Sequence, residues 1–191
     1  MKTISRKIIP AAVLIMTITM VSCEQKKELP TEESATALKQ LKELTAANEV
    51  ITENLAKFDT LDYTVFSNQQ WERLHESHAK DILVHFPDGH TEKGLEQHIK
   101  TLSAMFVYAP DTRIKEHPIR IGSGNTTAVI GTMEGTFTVP MPIGGGKFIP
   151  PTGKKFKLPM ATIGIWKDGI MTEEYLFWDN KSYMDQIGLG K

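Results

Sequence analysis

The dipeptide Asp168-Gly169, set between Lys167 and Ile170, constrains this chain more than any other feature. A two-residue Asp-Gly connection favours a type I′ turn, whose twist matches that of two antiparallel strands. The flanking runs, 156–166 and 171–179, are rich in β-branched and aromatic residues and read as those strands. The turn places Lys167 opposite Ile170, and an uninterrupted ladder fixes every further pair. One face then carries Glu173, Tyr175, Phe177 and Asp179, across from Gly164, Thr162, Met160 and Leu158. The other carries Glu174, Leu176 and Trp178 beside Ile163 and Ala161. Two carboxylates alternate with two aromatics on the first face, which makes it the expected pocket face.

Upstream, the periodicity is helical. Leu38, Leu41, Leu44, Ile51, Leu55 and Phe58 recur at helix spacing after a start at Thr31 with Glu32 and Glu33. Ser67 with Gln70 makes a capping-box pattern for a second helix burying Trp71, Leu74 and His78. Residues 81–86 form a short strand stopped by Pro87-Asp88-Gly89, and Glu92 to Tyr108 is a third helix. Strands follow near 113–121, 126–139, 156–166 and 171–179, with a closing helix at 180–187. Helices followed by mainly antiparallel strands predict an α+β domain with helices packed on one face of a curved sheet.

The chain begins differently. Lys2, Arg6 and Lys7 precede an apolar run from Ile8 to Val21, too short for a comfortable membrane span and laid out as a secretory signal. Met20-Val21-Ser22-Cys23 resembles a bacterial lipobox, in which the cysteine is acylated and becomes the new N-terminus. Residues 1–22 are thus a lipoprotein signal peptide, 23–53 a lipid-anchored tether and helical extension, and 54–191 the domain. The protein is expected at the bacterial cell envelope, held to the membrane through Cys23. That cysteine is the only one, so no internal disulfide or multi-cysteine cluster can form. With 22 basic and 23 acidic residues the chain lacks the footprint of a nucleic-acid binder.

The segment Glu173-Glu174-Tyr175-Leu176-Phe177-Trp178-Asp179-Asn180, with Met184-Asp185-Gln186-Ile187-Gly188-Leu189, resembles the C-terminal signature of the SnoaL-like polyketide cyclases. These ester cyclases belong to the nuclear transport factor 2-like superfamily. Val84-His85-Phe86-Pro87-Asp88-Gly89, Ala109-Pro110-Asp111 and Pro150-Pro151-Thr152-Gly153-Lys154 stand in the family's order, so the resemblance spans about Asn54 to Leu189. It implies a cone-shaped barrel, in which a strongly curved antiparallel sheet wraps the N-terminal helices around a pocket, often in a homodimer. It also implies a small-molecule ligand or substrate and acid/base chemistry of aldol or isomerase type, without metal or cofactor. Matching the motif puts Asp179 in the role of general acid/base and His85 on the pocket wall, as the expected catalytic pair. Thr162 stands where the family often has a histidine; it donates a hydrogen bond but does not titrate.

Glu134, Thr162, Glu173, Tyr175 and Phe177 are the expected substrate contacts. Each has a plainer duty as well: Asp179 as the cap of the helix from Asn180, His85 as a hydrogen-bonded structural residue, Tyr175 and Phe177 as core. His75-Glu76-Ser77-His78 falls one residue short of zincin spacing, and His85, Asp88 and His90 have no reason in sequence to converge with it, so no metal is assigned. Gly144-Gly145-Gly146 lacks a phosphate-loop ending, and no Gly-x-Ser-x-Gly elbow is present. A non-catalytic ligand-binding or envelope scaffold module is the alternative reading of the same residues.

Overall fold

The computed structural model describes residues 31–190; the signal segment, Cys23 and the start of the tether lie outside them. Among the described residues no helix is long and apolar enough to cross a membrane. Helix α1 spans Glu32–Thr60. Thr31 caps it, its hydroxyl accepting from the Ser34 amide at 3.2 Å, and the first-turn glutamates complement the helix dipole. The apolar stripe is used unevenly. Leu38, Leu41, Leu44 and Val50 are exposed, whereas Phe58 is buried at 1 % exposure. Only the last turns of α1 belong to the core.

Beyond Thr60 the helix widens into a π-helical turn, Leu61–Phe66, which buries Leu61, Asp62, Val65 and Phe66. Ser67 does not open a second α-helix. Its hydroxyl donates to the Asp62 carbonyl at 2.6 Å and accepts from the Ile114 amide at 2.9 Å, tying the turn to the sheet. A 3₁₀ turn at Trp71–Glu76 follows.

The strands are β1 (His78–His85), β2 (Thr91–Lys93), β3 (Arg113–Ile114), β4 (Ile119–Ser123), β5 (Thr126–Thr136), β6 (Met141–Pro142), β7 (Phe148–Ile149), β8 (Lys155–Lys167) and β9 (Ile170–Phe177). Helix α2 (Leu95–Tyr108) precedes β3, and α3 (Asn180–Gln186) closes the chain. The main sheet runs β2-β1-β9-β8-β5-β3, with β4 also on β5; β6 and β7 form a separate hairpin. The expected strand over 113–121 is divided because Pro118 cannot donate to a ladder, so β3 and β4 pair with different parts of β5. All main-sheet pairings are antiparallel except β1 with β9, so the sheet is mixed. Its path is open: among the described residues no pairing joins β2 to β3 or β4. The α+β class holds in this form.

The Asp168-Gly169 turn forms as expected, both residues at positive φ, and Lys167 pairs with Ile170 and Trp166 with Met171. The register then shifts by one. Ile165 pairs with Glu173, Gly164 with Glu174 and Thr162 with Leu176, leaving Thr172 as a bulge residue whose hydroxyl donates to the Ile165 carbonyl at 3.3 Å. Met171 occupies the space that a side chain at Gly164 would need: a Cβ there would lie 3.0 Å from Met171 Cε. One inserted residue turns the remainder of a strand over. Glu174 and Leu176 therefore face the helices, and Glu173, Tyr175 and Phe177 face away, the reverse of the arrangement expected from an uninterrupted ladder.

Candidate functional site

The inner sheet face, α2 and the π turn enclose a cavity of about 320 Å³. Its walls are mostly apolar, from Phe66, Leu102, Met105, Met133, Met160 and Trp178, which suits a small apolar ligand. Eight polar side chains also line it: Asp62 from the π turn, His78 from β1, His90 from the turn before β2, His98, Thr101 and Tyr108 from α2, Thr162 from β8 and Glu174 from β9.

Glu174 is buried at 4 % exposure. His98 Nε2 lies 3.2 Å and His78 Nε2 3.8 Å from its Oε2. Burial opposes ionisation of Glu174, but the two imidazoles outweigh it and hold the carboxyl well below the usual carboxylate range. His78 is oriented from behind: its Nδ1 stands 2.8 Å from Ser77 Oγ, and that hydroxyl donates to the Leu74 carbonyl at 3.2 Å.

Asp62 reaches the cavity from the other direction. His117 Nε2 donates to Asp62 Oδ2 at 2.8 Å and His117 Nδ1 to Asp59 Oδ1 at 2.7 Å, while Arg120 pairs with the second Asp59 oxygen. Tyr63 stacks on the imidazole at 4.4 Å. Burial pushes the Asp62 carboxyl above its ordinary value, and the neighbouring His117 only partly offsets this. Burial lowers the His117 value, but the two carboxylates it bridges outweigh that, and the net shift is upward. The folded value lies above the ordinary 6.5, so the stability this histidine contributes is complete below about pH 6.5 and is lost as pH rises through the raised value. Urea midpoints are therefore expected to fall as pH rises above about 6.5 in the native chain and to vary less in His117→Gln. The same slope in both proteins would place the titrating group elsewhere.

Of the residues expected at the site, Thr162 lines the cavity. His85, Glu173 and Tyr175 do come together, but on the outer sheet face. Glu173 Oε1 accepts from Tyr175 at 2.8 Å and lies 2.7 Å from His85 Nε2, and the two rings stack at 4.0 Å. Phe177 is half-exposed on that face, and Glu134, also facing outward on β5, pairs with Lys115. The bulge at Thr172 is what puts the β9 residues there. Asp179 is the exposed N-cap of α3, its Oδ1 accepting from the Ser182 amide at 3.0 Å. The Ala-Pro-Asp and Pro-Pro-Thr motifs act as clasps: Asp111 accepts from the Thr136 amide and hydroxyl at 2.7 and 2.8 Å, and Thr152 donates to the Ile187 carbonyl at 2.6 Å. Among the histidines first considered together, His75 is exposed and bound to the Glu72 carbonyl, and His90 pairs with Asp88. Only His78 enters the buried cluster.

Two cavity residues had a signal in the sequence. His98 stands three residues after Leu95 and four before Leu102, on the apolar stripe of its helix, and Asp62 stands four residues after Phe58 on the stripe of α1. A titratable residue on an apolar stripe faces inward.

An α+β domain of this topology, with helices and a mixed sheet closing on one apolar cavity with a few polar groups, is the architecture of a small-molecule pocket. Residues 56–187 match the family described as SnoaL-like polyketide cyclase, and the chain belongs to that family. IdmH of Streptomyces antibioticus, assigned as a polyketide cyclase, is 22% identical and covers 72% of this chain and 98% of its own, with a TM-score of 0.60. A protein of Jannaschia sp. CCS1, assigned as a SnoaL-like polyketide cyclase, is 20% identical over 73% of this chain and 94% of its own, also at 0.60. One from Xanthomonas campestris pv. campestris, assigned as a polyketide cyclase, is 15% identical over 73% and 98%, again at 0.60. At such identities the likeness establishes the shared fold. No curated protein sequence matches the chain.

Proposed function

We propose that this chain is an exported lipoprotein, anchored at the bacterial envelope through acylated Cys23. In this reading its SnoaL-like domain, a cone of sheet around the helices, binds a small, largely apolar molecule in the cavity and exchanges a proton with it. The observation that carries the reading is Asp62: a buried carboxylate on the wall of a mostly apolar cavity, hydrogen-bonded to a histidine that is itself held by a second aspartate. A general acid/base needs a group within reach of the ligand and a proton affinity lifted toward working pH, and burial supplies the second. His117 and Asp59 hold Asp62 in place. The apolar walls select the ligand and keep water from the transfer.

The test is deuterium exchange next to the carbonyl of a small aromatic ketone, followed by NMR, alongside binding of a fluorescent apolar probe. Asp62→Asn is expected to lower exchange by roughly 10²–10⁴-fold while the probe still binds. Unchanged exchange in that variant would remove Asp62 from the chemistry. Loss in Asp179→Asn alone would give the role to Asp179. Probe binding with no exchange in the native protein would leave a binding module.

A further inference from the structure

We propose that His78, His98 and Glu174 form a binding site for a divalent transition-metal cation of the zinc class, at the polar end of the cavity and open to it. The inference rests on reading the cavity as a ligand pocket and adds to it what that ligand must carry.

The three side chains come from β1, α2 and β9, and one ligand atom from each falls within 4.8 Å of the others. The measured separations, 3.2 and 3.8 Å to Glu174 Oε2, bracket the spacing of about 3.4 Å between two ligands of a tetrahedral zinc. The cluster is closely packed yet poorly hydrogen-bonded. His78 Nε2 and Glu174 Oε2 are buried without a hydrogen-bond partner, as is His98 Nδ1. Buried polar atoms of native proteins are rarely left unpaired, and a shared cation would satisfy the first two together.

Ser77 adds an independent sign. With its hydroxyl proton on the Leu74 carbonyl at 3.2 Å, Ser77 offers a lone pair to His78 Nδ1–H at 2.8 Å, the arrangement that a metal on Nε2 would select. In the neutral ring this leaves a lone pair on Nε2, the atom that faces Glu174. A histidine fixed through one nitrogen so that the other presents a lone pair is the usual support of a metal ligand. Two imidazoles and a carboxylate suit zinc, cobalt or ferrous iron, and three protein ligands leave a coordination position for a molecule in the cavity. The ligand class follows: a small apolar molecule with one oxygen donor, such as a carbonyl, enol or phenol, directed at the cluster.

The test is titration of the EDTA-treated full-length protein with cobalt chloride, followed by visible spectroscopy. One Co²⁺ per chain with d–d bands, displaced by Zn²⁺, is expected. Glu174→Gln and His98→Gln should abolish the bands, and Ser77→Ala should weaken binding roughly 10–100-fold. His75→Gln, at an exposed histidine, should leave binding unchanged. Absence of stoichiometric Co²⁺ binding in the native protein, or bands that survive in a folded Glu174→Gln, would overturn the site. Binding of the apolar probe in EDTA separates the two ideas. Probe binding without cobalt binding fails the metal site alone, whereas loss of both fails the pocket reading as well.

Discussion

Insertion of one alanine between Glu173 and Glu174 is expected to abolish soluble, cooperatively folding protein. The Asp168-Gly169 turn and the bulge at Thr172 set Glu173 opposite Ile165, so the inserted residue would take the place of Glu174 opposite Gly164. Glu174 would then stand opposite Ile163 and Tyr175 opposite Thr162. Leu176, now 5 % exposed, would turn to solvent, and Glu174 would leave its two histidines. Exposing a fully buried leucine costs about 1.5–3 kcal/mol. Forcing Tyr175 into a cavity shaped for other groups adds unsatisfied polar atoms and overpacking of similar size. The total approaches the roughly 5–15 kcal/mol that stabilises a domain of this size. Soluble yield and urea unfolding of the insertion variant measure this directly. A folded variant of native stability that still binds an apolar probe would show that the rest of β9 is indifferent to its face. Thr172→Ala, which keeps the residue count and loses only a 3.3 Å hydrogen bond, should unfold close to the native midpoint.

Phe58→Ala carries the second large effect, a loss of about 3–5 kcal/mol in urea unfolding. Phe58 is 1 % exposed, belongs to the core cluster with Leu61, Val65, Leu74 and Val84, and meets the His117 ring edge-on at 5.8 Å. Its removal opens a void beneath the Asp59–His117–Asp62 relay, so the pH dependence assigned to His117 should flatten as well. Leu41→Ala on the same helix is the internal comparison. Leu41 is 60 % exposed, and its replacement should move the midpoint by no more than about 0.5 kcal/mol. Equal losses at both positions would mean that the exposed half of α1 is packed against something in solution.

The contrast between these positions shows how far local sequence reaches. Thr31 caps α1 and Asp179 caps α3 because a cap involves a side chain and an amide only three residues apart. The Asp168-Gly169 turn is equally local, and so are the strand lengths of β5 and β8, which alternate buried and half-buried or exposed residues along most of their length. The order of motifs from Val84 to Leu189 was legible for the same reason, and the family match over 56–187 agrees with it. Helix periodicity, by contrast, gave one stripe on α1 without telling which part of it the sheet would cover.

The cavity was decided in three dimensions. Whether β9 bulges depends on Met171 settling over Gly164 of the neighbouring strand, a contact that no periodicity within β9 encodes. The parallel docking of β1 on β9 and the packing of α2 behind it bring His78 and His98 to Glu174. The π turn aims Asp62 inward, where His117, 55 residues further along the chain, meets it. Sequence alone determined most of the elements, the caps of α1 and α3, the Asp168-Gly169 turn and the family. The tertiary structure chose the face of the last strand, and with it the carboxylate that looks into the cavity, because a strand's side chains alternate and a single inserted residue reverses them.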